Sequence, residues 1–148
     1  MILGLALLIF IVWYTGRSNK RLILSIEKNQ RMEGELHIAS TMQMAMLPKV
    51  FPPFSDRPEL NVYGIVNPAK EVGGDFYDFY MLDNHRLAIT IADVSGKGVP
   101  AALFMVIAKT ILKNSALSAG EEETFADVIR RANQQLCENN EEMLFVTV

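Results

Sequence analysis

Positive charge never accumulates in this chain of 148 residues: its 14 lysines and arginines are spread out and outnumbered by 17 acidic residues, for a formal charge of −3. No basic run is long enough to follow a nucleic-acid backbone, so DNA and RNA are excluded as partners. Cysteine is nearly absent. The single Cys137 has no disulfide partner and no companion at metal-ligand spacing, and it reads as a small half-buried side chain. Only two histidines occur, His37 and His85, far apart in a polar helix and a turn, and neither is assigned chemistry. Neither GxxxxGK[ST] nor GxGxxG appears, which removes the common phosphate-cradling loops even though Lys97 lies between two glycines.

Two local absences organise the chain. Residues 1–14 (MILGLALLIFIVWY) carry no charge, and Arg17, Lys20 and Arg21 come soon after. The run is shorter than the roughly 20 residues that cross a bilayer, and the charge order is the reverse of a signal peptide. The aromatic pair Trp13 and Tyr14 beside basic residues fits a membrane interface. Residues 1–16 are therefore expected to be the C-terminal part of a transmembrane helix that leaves the rest of the chain in the cytoplasm, in a single-pass or multi-pass protein. Residues 18–46 contain no proline and one glycine, and apolar residues recur there in steps of three and four. A long amphipathic helix, with residues 17–47 as a signalling or coiled-coil segment, is the expectation. It would either pair with a second copy in a homodimer or, after His37, pack on its own domain. Residues 48–59 form a proline-rich linker, because Pro48, Pro52 and Pro53 forbid helix continuation.

Residues 60–148 read as a mixed domain. Strands are predicted over 60–66, 76–82 and 87–94, the last two joined by the turn Asp83-Asn84-His85-Arg86 into an antiparallel hairpin. Helices are predicted over 101–114, entered through Pro100, and over 124–138 with Thr124 as cap, before a strand over 143–148. Two aspartates stand out. Asp75 in VGGDFYD and Asp93 in IADVSGKG each sit where an apolar strand meets a glycine-rich turn. The hairpin should carry both to the same end. Two carboxylates and a main-chain carbonyl there suit a hard cation such as Mg²⁺ or Mn²⁺, which would activate water for hydrolysis of a phosphate ester. The competing reading has both aspartates capping turns, with Asp93 accepting from the Ser95 and Gly96 amides. Gly73-Gly74-Asp75-Phe76 only partly matches the GGDEF signature of diguanylate cyclases, since Phe76 replaces its acidic fourth position.

Taken together, Asn67-Pro68-Ala69-Lys70-Glu71-Val72-Gly73-Gly74-Asp75-Phe76-Tyr77-Asp78 and Ile91-Ala92-Asp93-Val94-Ser95-Gly96-Lys97-Gly98-Val99-Pro100-Ala101-Ala102 closely resemble the metal-dependent PPM-type serine/threonine phosphatases. The nearest branch is the bacterial SpoIIE/RsbU-like one, and residues 39–48 are similar to the helix that precedes the domain there. The resemblance implies an α+β fold, a partial PPM-type α-β-β-α sandwich preceded by the long amphipathic helix and the transmembrane segment. It also implies a centre of two Mn²⁺ or Mg²⁺ ions, with Asp93 bridging, the Val94 carbonyl as a further ligand and Asp75 holding the site from the adjacent strand. The implied substrate is a phosphoprotein of the anti-sigma-factor antagonist type. Residues 60–148 would be the N-terminal half of that domain, and the remaining metal aspartates of the family would come after Val148; Asp56, Asp83 and Asp127 stand at the wrong places to replace them. An inactive phosphoprotein-binding or dimerisation module is the alternative.

Overall fold

A computed structural model of the chain describes every residue except Met1, Ala69 and Glu121, and only the backbone of residues 2, 3 and 5–9. The elements run α1 (Ile2–Ala45), β1 (Phe76–Met81), β2 (Leu87–Val94), α2 (Val99–Leu117), α3 (Phe125–Cys137) and β3 (Val146–Thr147). Two compact units meet between Ile38 and Ala39, both within the continuous α1.

The first unit is helix alone. Arg31 and Glu35, one turn apart, form a salt bridge of 3.0 Å, and the Arg17 guanidinium lies 5.4 Å from the centre of the Trp13 ring. The Thr15 hydroxyl donates to the carbonyl of Ile11, a bond that satisfies a hydroxyl within a helix. The apolar side chains on which the expected membrane segment chiefly rests lie outside the described residues. Among the described residues one helix, α2, is long and apolar enough to cross a membrane. It is the central helix of the second unit, with Ala101, Met105 and Ala108 fully buried.

The second unit contains a sheet in the order β1-β2-β3, antiparallel throughout. The hairpin forms as its alternation requires, with Phe76 opposite Ala92 and Met81 opposite Leu87. Asp83 closes its turn: Oδ1 accepts from the amides of His85 and Arg86, and Oδ2 accepts from Arg86 Nε at 2.5 Å. These bonds hold its carboxyl down at about 2. Phe76, Asp78, Ala92 and Val94 share the sheet face that α2 covers, in a core completed by Leu47, Phe104, Met105, Leu112 and Ala132. Asp78 is buried there against Lys109 Nζ at 2.5 Å, with Lys113 at 3.9 Å, tying β1 to α2. α3 starts as expected at Thr124, whose side chain and that of Asp127 each take the other's backbone amide. Arg131 then binds Glu123 and the carbonyl of Ser115, fastening α3 to the end of α2.

Several expectations need correction. Residues 60–66 are extended with alternating exposure but join no ladder among the described residues. The reason lies at Gly64: a Cβ there would stand 2.7 Å from the Tyr77 ring. The segment therefore packs against the Tyr77 side chain without joining the β1 ladder. The strand predicted over 143–148 shrinks to Val146–Thr147 because the Asn140 side chain occupies both the amide and the carbonyl of Leu144. α2 outruns its predicted 101–114 at both ends. Cys137, expected half-buried, is exposed as the last residue of α3.

Candidate metal centre

The site is built by the two ends of the hairpin. Continuing the β1-β2 register one step past Phe76 and Ala92 sets Asp75 opposite Asp93, near enough for the two carboxyl groups to interact. Desolvation first, then hydrogen bonding with Asp93, then its negative charge raise the Asp75 carboxyl above its ordinary value of 3.8. Among the described residues no lysine, arginine or histidine forms an ion pair with either aspartate. Two like charges so close repel each other, and a bound cation would relieve that repulsion.

The turn before Asp75 and the strand end after Asp93 are pressed together. A Cβ on Gly74 would lie 2.8 Å from the Val94 carbonyl oxygen and 2.9 Å from Val94 Cβ. Only glycine permits that approach, and it leaves the Val94 oxygen facing the turn that carries Asp75. Beyond Val94 the chain reverses through Gly96 and Gly98, with φ of 88° and 74°, conformations that other residues rarely adopt, and enters α2.

The third strand steadies Asp93. Thr147 pairs with it across the ladder, and the Thr147 hydroxyl donates to its carbonyl at 3.2 Å. The Ser95 amide donates to the Phe145 carbonyl at 2.8 Å, and the Ser95 hydroxyl accepts from the Phe145 amide. With its amide used in this way, Ser95 does not cap Asp93. Both carboxylates lie on the common rim of an open groove of about 640 Å³ over the Tyr77 and Ile91 face and a smaller hollow of about 280 Å³ that also reaches Lys70, Lys97 and Gln43.

Asp75 and Asp93 thus face each other at the end of the hairpin that also carries the Val94 carbonyl, and oxygen atoms of these kinds are what a hard divalent cation takes. Among the described residues no third acidic, histidine or cysteine side chain joins them in a cluster. Sequence reasoning passed over Gln43, whose side chain holds Gly73, and Asp78 with Lys109. The signal for the latter was a charged residue in β1 on the same side as Phe76 and Tyr80.

Residues 83–148 match the family described as Stage II sporulation protein E (SpoIIE). The chain is 32% identical over 119 residues to the phosphoserine phosphatase RsbU of Bacillus subtilis, a match covering 80% of this chain and 33% of RsbU. Protein IcfG of Synechocystis is 32% identical over 127 residues, 86% of this chain and 19% of IcfG. The phosphoserine phosphatase RsbP of Bacillus subtilis is 36% identical over 69 residues, 47% of this chain and 16% of RsbP. The chain therefore spans a third or less of the length of these relatives. The SiaA-PP2C domain of Pseudomonas aeruginosa superposes with a TM-score of 0.54 at 24% identity over 72% of this chain and 42% of that one, which places the fold. The family match and these relatives, together with one α layer and one β layer that share the fold of that domain, support a SpoIIE/RsbU-like PPM-type phosphatase fragment.

Proposed function

We propose that the chain belongs to a membrane-tethered, metal-dependent serine/threonine protein phosphatase that dephosphorylates a small regulatory phosphoprotein of the anti-sigma-factor antagonist type, with its catalytic part in the cytoplasm. The observation that carries the reading is the facing Asp75 and Asp93 pair at the end of the hairpin that also holds the Val94 carbonyl. Asp93 and Asp75, from neighbouring strands, and the main-chain oxygen of Val94 would hold two Mn²⁺ or Mg²⁺ ions. Such ions supply Lewis-acid activation of the phosphoryl group and of the attacking water. The protein's own part is to fix the donors: β3 holds Asp93, the Gly74 contact sets Val94, and the open groove leaves room for a phosphorylated loop. Tethering rests on the uncharged start of α1 and the basic residues after it, and dimerisation would use the same helix.

The test uses the full-length protein with excess Mn²⁺ and a phosphoserine protein substrate. Asp93→Asn should lower kcat by more than about 100-fold, since even partners that merely orient metal ligands are worth 10–100-fold. Full activity in that variant would refute the reading, and a wild type that binds phosphoprotein without turnover would favour the inactive module.

A further inference from the structure

Among the described residues of the second unit three polar side chains are buried: Asp78, Ser115 and Gln43. Asp78 is matched by Lys109, and Ser115 sits in a helix end closed by Arg131. Gln43, 6% exposed near the end of α1, spends both ends of its amide on one residue. Its Nε2 donates to the Gly73 carbonyl at 2.7 Å, and its Oε1 accepts from the Gly73 amide at 3.1 Å. This reproduces a rung of a sheet with a side chain in place of a strand.

The location gives the pairing its meaning. Gly73 is two residues before Asp75 and adjoins Gly74, which rests on the Val94 carbonyl. The surrounding contacts seat this stretch of helix and the residues after it: Leu47 is buried, Met44 packs on the core, and Tyr77 Oη donates to the Pro48 carbonyl at 2.7 Å. A turn built on two glycines has little rigidity of its own. It is held from one side by Val94 and from the other by Gln43.

We propose that Gln43 is a positioning residue of the metal centre: by gripping both main-chain polar groups of Gly73 it fixes the Asp75 carboxylate against Asp93 and Val94, so that the end of α1 controls whether the donor set is assembled. The proposal rests on the metal reading above. Successive residues of a helix are about 100° apart, so a rotation of this helix end by one position would break both bonds together.

Gln43→Met, of similar size, removes both bonds, and Gln43→Glu keeps an acceptor for the Gly73 amide while losing the donor. In the full-length protein without metal, hydrogen exchange at residues 73–75 should accelerate about 10-fold or more in Gln43→Met and less in Gln43→Glu. Mn²⁺ affinity, read by calorimetry, should fall about 10-fold in Gln43→Met. Leu112→Ala serves as a core truncation that lowers Tm without touching the turn, and it should leave Mn²⁺ affinity unchanged. Wild-type exchange or wild-type Mn²⁺ affinity in Gln43→Met, with binding abolished by Asp93→Asn, overturns the proposal and spares the metal reading. A wild type that binds no Mn²⁺ sinks both.

Discussion

Replacing Gly74 by alanine tests the centre at its tightest point. The added Cβ would meet the Val94 carbonyl oxygen at 2.8 Å and Val94 Cβ at 2.9 Å, about 0.6 Å inside the 3.4 Å at which ordinary contact begins. Neither atom can swing away, because one belongs to the backbone and the other is the branch point of a β2 residue only 1% exposed. The strain must move the 73–75 turn or the end of β2. Overpacking of this kind costs about 1–3 kcal/mol. In a unit of this size that lowers the melting temperature by roughly 4–8 °C per kcal/mol. A displacement of this size also exceeds the ~0.5 Å within which a binding constellation works, so Mn²⁺ affinity should fall by about 10-fold or more. Gly73→Ala is the internal comparison. Its Cβ meets only Pro68 Cβ at 3.7 Å, an ordinary contact, and neither glycine has a left-handed φ. Thermal unfolding and Mn²⁺ calorimetry on the two variants decide the matter. Wild-type behaviour of Gly74→Ala, or equal damage from Gly73→Ala, would refute the argument.

Two further outcomes arise from charge. The raised Asp75 carboxyl means that the folded state holds its proton more tightly than the unfolded one, so metal-free stability should fall as pH rises above 3.8 through the carboxylate range and then level off. Asp93→Asn removes the charge of Asp93 and leaves the desolvation: in chelator its melting temperature should fall less steeply with rising pH than that of wild type, and an equally steep fall would contradict this. Asp78→Leu should cost about 3–5 kcal/mol because Lys109 is left buried and unpaired, while adding Lys109→Met should recover most of the loss. A chemical-denaturation double-mutant cycle reads the coupling, and strictly additive losses would count against a buried pair.

The parts legible from sequence were those governed by short-range rules. Alternation in residues 76–94, the Asp83 turn and the Thr124 cap each specify local backbone, and the structure has the hairpin and α3 where those rules put them. The convergence of Asp75 and Asp93 came from the hairpin alone. The features that escaped depend on partners distant in sequence. Gln43 meets Gly73 across 30 positions, and Asp78 meets Lys109 across 31. Periodicity carries no trace of either. Residues 60–66 misled because alternating exposure arises equally in a paired strand and in a segment that packs on side chains without joining a ladder, as this one does against Tyr77.

The two sides of the hairpin differ in how finished they are. The side toward α2 is sealed, whereas on the other Ile89 and Ile91 are 60% and 76% exposed, with Tyr63 and Ile65 nearby. The tolerance of the chain to change is therefore lopsided. Swapping Ile89 or Ile91 for threonine would cost this unit little folding energy and make it less prone to clump in concentrated solution, whereas a comparable swap at Ala92 or Val94 would strike its centre.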